Sequence, residues 1–83
     1  MDDKSISEAI GEVLRDKILQ KGFNFMSFAE LAGVTHGYVS KVVNGNIKSI
    51  GVGTLEKMMI PLEMNVSEFM MEVEKKKPLP IYC

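Results

Sequence analysis

Apolar residues recur along this chain at helical spacing, in five runs broken by glycine, asparagine and proline. In the first run Ile6, Ile10, Val13, Leu14 and Ile18 fall on one face of a 3.6-residue period. Ser5-Ile6-Ser7-Glu8 matches a capping box, and Gly22 suits a left-handed helix end. The spacing predicts a helix over 7–21.

The second run is shorter. Asn24 is a good cap, and Phe23 and Phe28 stand where a hydrophobic staple would pair them. Phe28, Ala29 and Leu31 form its apolar set and Gly33 ends it, giving a helix over 25–32. Thr35 caps a third helix over 36–43, with Val39 and Val42 inward. Asn44-Gly45 stops it; Asn-Gly also favours hairpins, but the flanks lack period-2 alternation. Residues 46–53 are punctuated by Ser and Gly and read as a loop. A fourth helix starts near Thr54 with Leu55, Met58, Met59 and Leu62 apolar, and Pro61 kinks or ends it. Asn65-Val66-Ser67 is a further start signal, leading into a helix over 68–76 with Phe69, Met70 and Val73 apolar. Phe28, Leu31, Met58, Met59, Met64 and Phe69 are the expected core, methionine filling irregular gaps. Pro78 and Pro80 keep the last residues extended. The domain is thus all-α, residues 1–77, with a short extended tail at 78–83.

Composition narrows the function. Eighty-three residues make one domain with one small core. The chain is 46% hydrophobic and 25% charged, as in folded soluble proteins. The single Cys83 excludes an internal disulfide, and it joins only one histidine, His36, too few ligands for a usual metal site. No catalytic constellation, phosphate loop or cofactor motif appears. The N-terminus is unlike a secretory signal and no apolar run approaches a membrane span, so a cytosolic protein is expected. Ten Lys+Arg against eleven Asp+Glu give a net charge of −1. That balance is unusual for a nucleic-acid binder. By segment, however, 22–54 carries two positive charges and one negative, the only excess of positive charge in the chain.

The informative stretch is 23–45. Two short helices flank the tight turn Ala32-Gly33-Val34-Thr35, and the second exposes small or polar residues. This is the layout of a helix-turn-helix, whose second helix enters the DNA major groove. Ala29 must be small where the helices cross, and Gly33 leaves room for the turn. Val34, Val39 and Val42 tie the pair to the core.

From Phe23 to Gly45 the residues resemble, without a gap, the Cro/Xre family of lambda-repressor-like DNA-binding domains. The matching pieces are Phe28-Ala29, Ala32-Gly33-Val34-Thr35 and Val39-Ser40-Lys41-Val42-Val43-Asn44-Gly45. Thr54-Leu55-Glu56-Lys57 and Asn65-Val66-Ser67 resemble the family's fourth and fifth helices. The chain departs from the family at Phe25 and Val43, where glutamine and glutamate are usual, and in two extra residues between Ile60 and Asn65.

The resemblance implies a compact five-helix domain in which helix 3 reads double-stranded DNA. His36, Gly37, Ser40 and Lys41 match positions facing the bases. Lys41 can donate to guanine O6 and N7 or to a phosphate. Gly37 would allow close approach to the groove floor or a thymine methyl. Asn24, Thr35, Tyr38, Asn44, Asn46 and Lys48 are candidate phosphate contacts; Tyr38 could equally pack against helix 2. Lys75–Lys77 reads as a solvated helix end or a further backbone contact. The implied function is a sequence-specific transcriptional regulator, a repressor of bacterial or phage origin. One helix-turn-helix buries little surface, so a homodimer on an inverted repeat is expected, with helix 5 and the tail as the candidates for its interface. The alternative is a protein-interaction module of antitoxin or antirepressor type. Phe25, Met26 and Val43 motivate it, since together they could form an apolar patch for a protein partner.

Overall fold

In the computed structural model, residues 6–47 and 50–76 are described. Ser5 of the expected capping box, Lys48, Lys77 and the tail at 78–83 lie outside them. The described chain folds into five helices: α1 (Ile6–Gln20), α2 (Phe25–Ala32), α3 (His36–Val43), α4 (Val52–Leu62) and α5 (Val66–Lys76). α1 packs on α3 and α5, α2 on α3 and α4, and α4 on α5. Among the described residues the core is entirely apolar, with Phe28, Phe69, Leu14, Ile18, Met58, Val39, Val42 and Val73 fully buried.

Local chemistry explains most helix ends. Asn24 Oδ1 accepts from the Ser27 N–H at 2.7 Å and Ser27 Oγ accepts from the Asn24 N–H at 3.2 Å. Each end of this box satisfies a donor that the first turn leaves unpaired. Phe23 and Phe28 close the expected staple, with ring centroids 6.2 Å apart. Asn65 and Glu68 form a second reciprocal box at the start of α5. At the α2 C-terminus, Gly33 donates to Glu30 O and Val34 to Ala29 O, at 3.2 and 3.0 Å. This Schellman closure requires φ > 0, and Gly33 adopts +77° without a Cβ penalty. α4 ends on the same pattern with Glu63 at φ +57°, the only non-glycine positive φ among the described residues.

Several expectations are corrected. Leu31 is 59% exposed and not part of the core. The buried stripe of α2 runs through Phe28, Ala29 and Ala32. At 100° per residue Leu31 stands about 110° from its centre. On α1 the buried face is Ala9, Gly11, Val13, Leu14 and Ile18, while Ile6 is 40% exposed at the helix start. α4 begins at Val52, two residues before Thr54. Its cap is Gly51, which makes no side-chain bond, so the start carries no capping signature. α5 begins at Val66, directly after its Asn65 cap, rather than at Glu68. Pro61 lies in the last turn of α4, which ends one residue later.

Candidate nucleic-acid interface

α3 is held at both ends and along its inner face. Thr35 Oγ1 accepts from the Tyr38 N–H at 3.0 Å and caps the first turn. At the other end Gly45 donates to Val42 O and Asn46 to Lys41 O, at 3.0 and 2.9 Å. Val39 and Val42 are buried beneath the helix. Those two residues fix which way the rest of α3 faces.

The outward stripe follows from helical spacing. His36, Gly37, Lys41 and Asn44 are exposed and Ser40 is half-buried, at offsets of zero, one, five, eight and four from His36. The four expected base-facing residues therefore share one face. Asn44 joins them: its Nδ2 donates to Ser40 Oγ at 3.4 Å, one turn back along the same stripe. A Cβ built on Gly37 would meet nothing within 4 Å, so the surface there is open.

The expected phosphate-contacting residues surround this stripe unevenly. Asn24, Thr35 and Asn46 are exposed. Asn24 Oδ1 and Thr35 Oγ1 already serve as helix caps, leaving the Asn24 amide and the Thr35 hydroxyl hydrogen as donors. Tyr38 is half-buried and packs against the core, which agrees with the packing role and leaves its hydroxyl a polar handle.

Charge on α2, α3 and the turn between them is sparse. Between 22 and 47 the chain carries only Glu30 and Lys41. Acidic side chains of α1 and α5 meet lysines along the seam between those helices. Lys17 pairs with Glu72 at 3.9 Å, and Lys76 with Asp16 at 3.3 Å and Glu12 at 3.9 Å. Such solvent-accessible pairs contribute about 0–1 kcal/mol each. Two lysines against three carboxylates leave the charge in the α1–α5 seam largely cancelled.

The apolar patch proposed from Phe25, Met26 and Val43 is mostly not at the surface. Phe25 and Val43 pack against the core, leaving Met26, 61% exposed. No described helix is long and apolar enough to cross a membrane. Among the described residues no group of three His, Cys, Asp or Glu could hold a metal.

No protein-family model matches the chain, and none of the curated proteins matches it by sequence. Solved structures do match. The crystal structure of ClgR, the clp gene regulator from Corynebacterium glutamicum, superposes with a TM-score of 0.84 at 25% identity, covering 92% of this chain and 96% of that one. A second ClgR structure from the same organism gives 0.81 at 26% identity, covering 89% and 78%. A point mutant of the restriction-modification controller protein C.Esp1396I gives 0.76 at 19% identity, covering 89% and 97%, a likeness of fold alone. The five-helix arrangement expected from the sequence, with the helix-turn-helix at α2 and α3, is thus a fold this chain shares with a gene regulator and a controller protein.

Proposed function

We propose that this chain is a DNA-binding transcriptional regulator that places α3 in the major groove. The observation that carries the reading is the stripe His36, Gly37, Ser40, Lys41 and Asn44, set outward by a helix whose opposite face is locked into the core. Its side chains are short or polar, and Lys41 supplies a cation that can bind guanine or phosphate. The similarity to ClgR, named a gene regulator, supports the same reading.

The regulator acts as a cytoplasmic repressor on an inverted-repeat operator. One short reading helix makes few base contacts, so two copies bind two half-sites. α5, where Met71 is 62% exposed, and the tail at 78–83 form the joint between copies. With little positive charge near α3, non-specific affinity is modest and base contacts carry more of the binding energy.

Titrating random duplex DNA over a salt series tests the reading. The affinity falls with salt, with a log–log slope of about −0.9 per phosphate neutralised. Replacing Lys41 and His36 by Ala abolishes binding to the preferred site and leaves the circular dichroism unchanged. Absence of binding at low salt overturns the proposal in favour of a protein-binding role for the same fold.

A further inference from the structure

We propose that Gly11 of α1 is a positioning residue for DNA reading: it seats the C-terminal turn of α3 backbone against backbone and so sets the reach of Lys41 and Asn44. The inference rests on the reading of α3 as the DNA-contacting helix.

A Cβ added at Gly11 would lie 2.5 Å from the carbonyl oxygens of both Val42 and Val43 and 2.9 Å from the Val43 carbonyl carbon. These atoms are main chain, so no rotamer change can relieve the contact. Ordinary van der Waals contact begins near 3.4 Å, so an alanine there must drive the two helices apart by about 0.9 Å. Glycine is a poor helix former, and in the middle of α1 its presence needs a cause. The close approach supplies one.

A second contact lies one turn earlier on the same face of α1. Gly45, at φ +75°, runs over Glu8, and a Cβ on it would sit 3.1 Å from Glu8 Cγ and 3.3 Å from Glu8 Cα. Glu8 and Gly11 are three residues apart, so one edge of α1 receives the whole segment 42–45. Val42 O, which Gly11 faces, also accepts the Gly45 N–H that ends α3. The N-terminal end of α3 is set by the turn from α2, and its C-terminal end by this seat. Lys41 and Asn44 stand within one to three residues of the contact. A direct hydrogen bond to a base tolerates only a few tenths of an ångström, between about 2.7 and 3.2 Å. A displacement near 0.9 Å removes it.

Gly11→Ala and the control Gly53→Ala, whose Cβ would meet nothing within 4 Å, are compared with the parent. For each, affinity is measured for the DNA site selected by the parent and for random duplex, at a temperature where circular dichroism shows full folding. Gly11→Ala lowers affinity for the selected site about tenfold or more and leaves affinity for random duplex within about twofold, while Gly53→Ala changes neither. Loss of packing alone would not move that ratio in folded protein. A folded Gly11→Ala with an unchanged ratio overturns the inference and leaves the DNA-binding reading standing. A parent that binds no DNA overturns both. Where Gly11→Ala fails to fold, Gly45→Asn decides, because asparagine tolerates positive φ and the nearest atoms to its Cβ are those of Glu8. It lowers the ratio, and Glu8→Ala in the same chain restores part of it; an unchanged ratio in Gly45→Asn overturns the inference.

Discussion

Gly37→Ala separates stability from recognition within a single methyl group. Gly37 sits in the first turn of α3 with a negative φ, and its Cβ position is open to solvent. The added methyl therefore meets no protein atom. It removes backbone freedom from the unfolded chain and improves helix propensity, together about 0.5–1 kcal/mol. For a domain of this size that raises Tm by about 2–8 °C. If α3 lies in the major groove with Gly37 at its floor, the same methyl stands where a base edge must approach. Affinity for the selected site then falls about tenfold, near the penalty for one mismatched base pair. Thermal denaturation by circular dichroism reads the first effect, and a fluorescence-anisotropy titration of the selected duplex reads the second. A Tm that stays put or falls refutes the argument about the open position. A raised Tm with unaltered DNA affinity refutes the placement of Gly37 at the groove floor.

Other substitutions address single features. Thr35→Ala deletes the cap on the Tyr38 N–H and lowers stability by about 1 kcal/mol in chemical denaturation, while Thr35→Ser keeps most of it. Glu63→Gly relieves a side chain held at φ +57° and raises stability by about 0.5–1 kcal/mol, because the Lys21 pair it removes is exposed and weak. Leu31→Lys leaves stability within about 0.5 kcal/mol, since the side chain covers no core, and a larger loss would mean that Leu31 packs in solution.

The parts of the fold that the sequence announced are those with local chemistry. Asn24, Thr35 and Asn65 declare helix starts because their side chains must bond to nearby backbone. Gly22, Gly33 and Gly45 declare ends because φ > 0 disfavours other residues. α4 lacked such a marker, since Gly51 caps it without a side chain, and Thr54 looked like the first helical residue. Leu31 misled because apolar type outweighed its angle from the Phe28–Ala32 stripe. The orientation of α3 was readable from Val39 and Val42, which fixed the outward set by elimination. The seat at Gly11 was not. Its cause is a contact with carbonyls more than thirty residues away, and periodicity within α1 shows only a gap in an apolar pattern. A glycine inside a strongly periodic helix was the available signal. The net charge likewise understated the site, because it sums over acidic residues outside 22–54, among them Glu12, Asp16 and Glu72 in the α1–α5 seam.

The central claim is that α3 reads base sequence through the stripe from His36 to Asn44. Selection of bound duplexes from random DNA by the parent, repeated with Lys41→Ala, tests it most directly. The expected result is a pair of inverted half-sites about one helical turn apart, with preference relaxed in the Lys41→Ala selection at one position in each half. Enrichment of no motif, or of the same motif undiminished by Lys41→Ala and by His36→Ala, would contradict it.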